Sequence, residues 1–155
     1  MISYDDSKGR ILMSTLILLV GLPGTGKSSW IKDNASNFLV VSSEEIRECL
    51  FGRVKNDSNK TTVEAYKRDI IKSSLEYGQN VVVDDYNLSA SERLKILRDA
   101  PIDTVKKAVY FTPNMNKLLR RFKNSHDITE EVLNKMSSNT DIPTKSEGYE
   151  SITII

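Results

Sequence analysis

Eight consecutive residues carry the strongest chemical signal in this 155-residue chain: Gly21-Leu22-Pro23-Gly24-Thr25-Gly26-Lys27-Ser28. They match G-x-x-x-x-G-K-[ST] in full, a loop whose backbone N–H groups converge on phosphate oxygens because glycine leaves no side chain in the way. In such a loop Lys27 reaches the β- and γ-phosphates of a nucleoside triphosphate, and Ser28 offers its hydroxyl to Mg²⁺. The residues that follow, from about Gly26 to Asn34 and including Ser29 and Trp30, suit a helix whose positive end faces the same anion. Trp30 is expected to pack beneath the loop, and the lone His126 is read as structural or superficial.

Three further constellations could do chemistry. Val81-Val82-Val83-Asp84-Asp85 reads as an apolar strand ending in carboxylates, and a strand-end acid beside a phosphate loop orients Mg²⁺ and its waters. Successive strand residues face opposite sides, so Asp84 and Asp85 cannot serve a metal equally; Asp85, one step nearer the carboxyl edge, is favoured. Ser43-Glu44-Glu45-Ile46-Arg47 follows the second predicted strand and so faces the crevice where open α/β sheets bind ligands. Glu44 can take a proton from an acceptor hydroxyl and Arg47 can clamp an acceptor phosphate, although the same spacing also suits a surface i, i+3 ion pair. Lys117, Arg120, Arg121 and Lys123 form a cationic cluster with no acid between Asn116 and Ser125. They read either as a phosphate-covering lid or as a solvated helix face that suits the macrodipole.

The elements that must hold these groups alternate strand-like and helix-like, which predicts βαβ units and a parallel sheet. Strands are expected at Thr15–Val20, Phe38–Ser42, Asn80–Asp84, Val105–Phe111 and Ser151–Ile155. Several are apolar throughout, as strands covered on both faces should be. A helix from Thr62 to Tyr77 is expected to bury Val63, Tyr66, Ile70 and Leu75, with Gly78 as its stop. Ser89 and Glu92 suggest a capping box, Thr112-Pro113 a helix start ahead of the stripe Met115, Leu118, Leu119, Phe122, and Ile128 to Met136 a last helix opened by Asp127. Residues 52–61 are expected to form the longest loop.

Composition bounds the rest. Hydrophobic residues make up 39% and charged residues 28%, which excludes disorder and a disulfide-stapled miniature. The 22 basic and 21 acidic residues divide evenly between the halves, so a polyanion must be held by a local cluster rather than a global field. One cysteine, Cys49, fits a reducing compartment, and the run Ile11–Val20 is too short to span a bilayer. The expectation is a leader over residues 1–13, one domain over 14–155, no membrane segment and a cytoplasmic location.

With these residues in view, the chain resembles the P-loop 5′-hydroxyl polynucleotide kinases, over roughly residues 14–155. The likeness rests on Gly21–Ser28 with Ser29-Trp30, on Glu44–Arg47, on Val81–Asp85 leading to Asn87-Leu88, on the basic helix, and on Pro143-Thr144-Lys145-Ser146-Glu147-Gly148-Tyr149 before the last strand. It implies an α/β fold, a three-layer α/β/α P-loop kinase with a five-stranded parallel sheet in the order 2-3-1-4-5. It also implies transfer of the γ-phosphate of ATP, with Mg²⁺, to the 5′-hydroxyl end of DNA or RNA. Loop residues 21–29 and Arg120 would hold the nucleotide, and Ser28 with Asp84 or Asp85 the metal. Lys27, Glu44, Arg47, Asp85 and Arg121 would act on the reacting groups. The chain departs from the pattern in having Glu44 where the family has aspartate and Tyr86 where it has threonine. It lacks the D-x-D-G-T phosphatase motif. A small-molecule or nucleoside kinase on the same fold and a non-catalytic ATP-binding protein are the alternatives.

Overall fold

The computed structural model describes residues 13–52 and 57–155. Residues 1–12 and 53–56, which take in nearly all of the expected leader and part of the expected long loop, lie outside them. The five strands are β1 (Thr15–Val20), β2 (Leu39–Val41), β3 (Val81–Val83), β4 (Val105–Tyr110) and β5 (Ser151–Ile154), each within a residue or so of its expected span. The helices are α1 (Lys27–Asn34), α2 (Ser43–Phe51), α3 (Lys60–Glu76), α4 (Ala90–Asp99), α5 (Met115–Arg121) and α6 (Glu130–Ser138), with short 3₁₀ turns at Asp57–Asn59 and Lys145–Glu147. The strand order is β2-β3-β1-β4-β5 and every pairing is parallel. This is the P-loop kinase fold, with helices on both sides of the sheet.

Strand alternation builds the two faces. Leu16 and Leu18 of β1 join Val81, Val83 and Ala108 on one face, where Ile71 and Leu75 of α3 and Ile96 and Leu97 of α4 cover them. Ile17 and Leu19 point the other way, against Val82, Val109 and Ala35, with Trp30 and Ile31 of α1 packed on them. β1 is thus covered on both sides; Leu16, Leu18 and Leu19 are fully buried, each stabilising the fold by about 1.5–3 kcal/mol. A third cluster of Leu22, Leu118 and Leu133 seats α5 and α6 beside the loop that follows β1.

Several local expectations change. In α3 the buried stripe is Val63, Lys67, Ile71 and Leu75, while Tyr66 and Ile70 are exposed. An i, i+4 stripe was available all along, but it contains a lysine. Trp30 packs on the sheet with Phe38 and Val40 rather than beneath the phosphate loop. Ser89 spends its hydroxyl on Ser91 instead of capping α4, and the first amide of that helix, Ala90 N, donates to Asp141 Oδ2 at 3.0 Å. The reciprocal capping box sits instead at Thr144 and Glu147. Asn114 caps α5 and Thr129 caps α6, because each accepts from the amide three residues on, a bond that Thr112 and Asp127 stand too early to make.

Candidate active site

The carboxyl ends of β1, β2 and β3 open onto a cleft of about 1080 Å³. One wall is the loop 21–28. Gly24 and Gly26 hold φ of +77° and +102°, left-handed values that side chains resist. A Cβ on Gly24 would also stand 2.8 Å from Phe122 Cε2, so this glycine serves both the turn and the close approach of α5. Gly26 caps α1 through no side chain, and the first turn of α1 carries no acid, so its amides remain available to an anion. Behind the loop, Gly21 N donates to Tyr86 O at 3.0 Å, which ties it to the segment after β3.

Lys27 is folded onto its own loop. Its Nζ donates to Gly21 O at 2.9 Å and Leu22 O at 2.7 Å and stands 5.0 Å from the Tyr86 ring centroid. Burial lowers its pKa to about 8 against the opposing charges of Asp84 and Asp85. Leu22 itself is a core residue whose carbonyl also accepts from Thr25 Oγ1, so Leu22 and Thr25 shape the loop from behind. Pro23, Gly24, Gly26, Lys27, Ser28 and Ser29 line the cleft itself. Of the basic helix, Arg121 reaches the cleft and donates to Gly24 O at 3.1 Å. Arg120 turns back to Asn116 O at 3.3 Å on the exposed side and does not line the cleft.

The two strand-end aspartates part company. Asp85 is fully engaged: its Oδ1 accepts from Ser43 N at 2.9 Å, and its Oδ2 from Ser43 Oγ at 2.7 Å and Lys67 Nζ at 3.0 Å. Asp84 accepts no side-chain hydrogen bond among the described residues. Burial raises its pKa, opposed by Lys27 and reinforced by Asp85, Glu45 and Glu44. A desolvated carboxylate with no side-chain donor among the described residues, sharing its cleft with Lys27 and Ser28, offers with the Ser28 hydroxyl an oxygen-only set suited to Mg²⁺ held mostly by phosphates and water. It suits no metal that needs three protein side chains, and no group of three or more His, Cys, Asp or Glu among the described residues is placed to hold a metal ion.

Glu44 and Arg47 stand on the first turns of α2, on the opposite wall. They form no ion pair with each other, so the surface i, i+3 alternative is not what the structure shows. Ser42 caps α2 through a 3.4 Å bond from Glu45 N. Lys60, Glu64 and Lys67 of α3 line the same wall. None was singled out from the sequence, and the signal for Lys67 was a charged residue inside an apolar i, i+4 stripe. A second missed group lies behind the cleft. Fully buried Arg93 pairs with Glu147 at 2.8 and 3.0 Å and donates to the carbonyls of Asn87 and Leu88, pinning the segment after β3 to the turn before β5. Asn87, at φ +50°, donates to Leu19 O at 2.7 Å and completes that brace.

A family model described as an AAA domain matches residues 16–143, most of the chain, including the carboxyl ends of β1, β2 and β3. The chain belongs to this AAA domain family. Among its relatives, the L-seryl-tRNA(Sec) kinase of Methanococcus maripaludis is 30% identical over 138 residues, which cover 83% of this chain and 53% of that protein. The chain thus spans about half the length of that curated relative. Among solved structures, a chain of the Pnkp1/Rnl/Hen1 RNA repair complex superposes with a TM-score of 0.70 at 17% identity, covering 86% of this chain and 46% of that one. A candidate kinase from Chloroflexus aurantiacus superposes with a TM-score of 0.69 at 18% identity, covering 94% and 86%. For the AAA domain family member described here, both superpositions establish the fold. No helix among the described residues is long and apolar enough to cross a membrane.

Proposed function

We propose that this chain is an ATP-dependent phosphotransferase that delivers the γ-phosphate to a hydroxyl carried on a nucleic acid, the 5′-hydroxyl end of DNA or RNA first among them. The observation that carries this reading is one cleft with two unlike walls. The loop 21–28 and Lys27 would form the site for phosphates, and Glu44 and Arg47 line the same cleft with no side-chain hydrogen bond or ion pair among the described residues. Lys27 would leave the carbonyls of Gly21 and Leu22 for the transferring phosphoryl group, exchanging weak acceptors for a charged one. Ser28 and Asp84 would hold Mg²⁺, which supplies charge neutralisation on the phosphates. This assignment departs from the sequence preference for Asp85, whose oxygens are taken by Ser43 and Lys67. Glu44 accepts the proton of the acceptor hydroxyl, Arg47 holds the phosphate beside it, and Arg121, already at the loop, covers the developing charge.

A second reading has its own support in the 30% identity to an L-seryl-tRNA(Sec) kinase: the acceptor hydroxyl would belong to an amino acid esterified to RNA. Both readings place the hydroxyl beside a nucleic-acid phosphate, for which Arg47 and Lys60 supply cations on the acceptor wall. Transfer of labelled γ-phosphate tests them directly, against 5′-hydroxyl DNA, 5′-hydroxyl RNA, seryl-tRNA and a nucleoside panel. Label on one nucleic-acid acceptor, lost as salt rises, is the expected result. Label on free nucleosides alone, insensitive to salt, makes this a small-molecule kinase; ATP binding with no transfer at all sinks the reading.

A further inference from the structure

Lys67 is a buried ammonium group to which neither phosphate binding nor proton transfer assigns a task. It occupies the middle of the apolar stripe of α3, between Val63 and Ile71. Its Nζ lies 2.9 Å from Glu64 Oε1, 3.0 Å from Asp85 Oδ2 and 3.2 Å from Ser43 Oγ, so each of its three protons has an acceptor. Ser43 Oγ in turn donates to the same Asp85 Oδ2 at 2.7 Å, which closes a three-membered ring of side chains from α3, α2 and the end of β3. Burial opposes its charge, but Asp85 and Glu64 outweigh that and raise its pKa.

Packing alone does not require a charge here. A buried ion pair roughly breaks even with an apolar side chain of similar volume, and Val63, Ile71 and Leu75 show that the stripe accepts apolar residues. The ring does something packing cannot: it fixes a direction. Two of its members are direct chain neighbours of groups that line the cleft, since Ser43 precedes Glu44 and Asp85 follows Asp84, and Lys67 holds those two together.

We propose that Lys67 is a positioning residue for phosphoryl transfer: through Asp85 and Ser43 it locks the first turn of α2 to the end of β3 and so sets how Glu44 reaches the acceptor. The inference rests on the phosphotransferase reading for its kinetic consequence, though not for its structural one. Misplacing a reacting group by about 1 Å costs on the order of 10²-fold, so Lys67→Met should lower kcat by about that factor, with KM for ATP changed less than about twofold. Because Lys67 acts through Asp85, the double variant Lys67→Met/Asp85→Asn should turn over no more slowly than the worse single variant. Ser43→Ala breaks the ring from its solvent side, leaves the core intact and should reproduce the defect in weaker form.

Amide hydrogen exchange over residues 43–47 reads the same lock without any turnover. Protection there should fall in Lys67→Met and Ser43→Ala while β1 and α1 stay as in the wild type. Independent multiplication of the two kinetic defects, parallel loss of ATP binding, or normal turnover in Ser43→Ala would overturn the proposal. Should the wild-type chain phosphorylate no acceptor, the phosphotransferase reading falls and exchange alone decides: unchanged protection of α2 in both variants overturns the lock, and loss confined to α2 and residues 84–86 upholds it.

Discussion

The two walls of the cleft are built by different means. The wall proposed for phosphates is mostly backbone: glycines at positive φ, the first turn of α1 with no side-chain cap, and a lysine that hydrogen-bonds the carbonyls of its own loop. It comes from one contiguous stretch of chain. The acceptor wall is mostly side chain and is assembled from α2, α3 and the end of β3, held by charge-assisted hydrogen bonds between Lys67, Asp85, Ser43 and Glu64. A backbone site recognises what all nucleoside triphosphates share. A side-chain site changes with one substitution, so specificity should reside on the acceptor wall.

Substitutions on the two walls should therefore fail differently. The largest effect is expected for Glu44→Gln, which keeps shape but cannot take the proton; kcat should fall by about 10²–10⁴ with ATP affinity unchanged in a binding titration. Arg47→Ala belongs to the same wall and should raise KM for a 5′-hydroxyl oligonucleotide far more than KM for ATP. On the other wall, Lys27→Met should cost about 10²–10³ in kcat. Its melting temperature should hold or rise, because the substitution removes a desolvated charge. Loss of folding in Lys27→Met would mean that its bonds to Gly21 and Leu22 hold the loop together, and the contrast between the walls would blur.

The aspartates divide along the same line. Asp84→Asn should raise the Mg²⁺ concentration needed for half-maximal transfer and lower the rate by roughly 10²-fold. Asp85→Asn should leave the metal dependence alone and weaken acceptor use. The reverse pattern, measured by magnesium titration of both variants, would return the metal to Asp85.

Two smaller effects follow from titration. With Lys27 near pKa 8 in the nucleotide-free chain, its charge is partly lost above that pH, and phosphates drawn to it restore the proton. ATP binding at mildly alkaline pH should thus take up as much as about one proton, seen by calorimetry in buffers of different ionisation heat; proton release would contradict it. Behind both walls, burial opposes ionisation of Glu147, but hydrogen bonds from Arg93 and Thr144 N outweigh it and hold its pKa below the ordinary value. A depressed carboxylate stabilises the fold above its unfolded pKa, and that contribution fades as pH falls through the folded value. Glu147→Gln strands the buried Arg93 charge and should cost about 3–5 kcal/mol at neutral pH. The cost should shrink in acid, where the wild type loses the same ion pair; a difference independent of pH in denaturant titrations would argue against the pair as the cause.

What could be read from the sequence was whatever is local. The phosphate loop is a fixed pattern of glycines with a lysine and a serine, and it can be recognised without the rest of the chain. The strands were legible for a related reason: residues buried on both faces of a parallel sheet must be apolar throughout, which leaves short runs such as Val81–Val83 that no amphipathic helix would show. The helix starts were read less well. Ser89 and Thr112 are good capping residues by type, but whether a hydroxyl caps depends on backbone geometry and on rivals such as Asp141, distant in the chain.

The acceptor wall was only half legible. Residue type and position past β2 were enough to mark Glu44 and Arg47, because strand ends in such sheets face ligands. Strand position favoured Asp85 over Asp84 for the metal, and tertiary structure argues the other way, supplying Ser43 and Lys67 to Asp85 and no side-chain donor to Asp84 among the described residues. Lys67 and Arg93 could be given no role from the sequence, for a deeper reason. A lysine or arginine inside an apolar stripe becomes meaningful only when its partner arrives, and the partners here lie 18 and 54 residues away in the chain. The sequence determined the loop proposed to bind phosphates, since that loop is backbone geometry written into neighbouring residues. Only the folded chain decided which charges meet in the interior, since burial makes a charge costly until a distant group pairs with it.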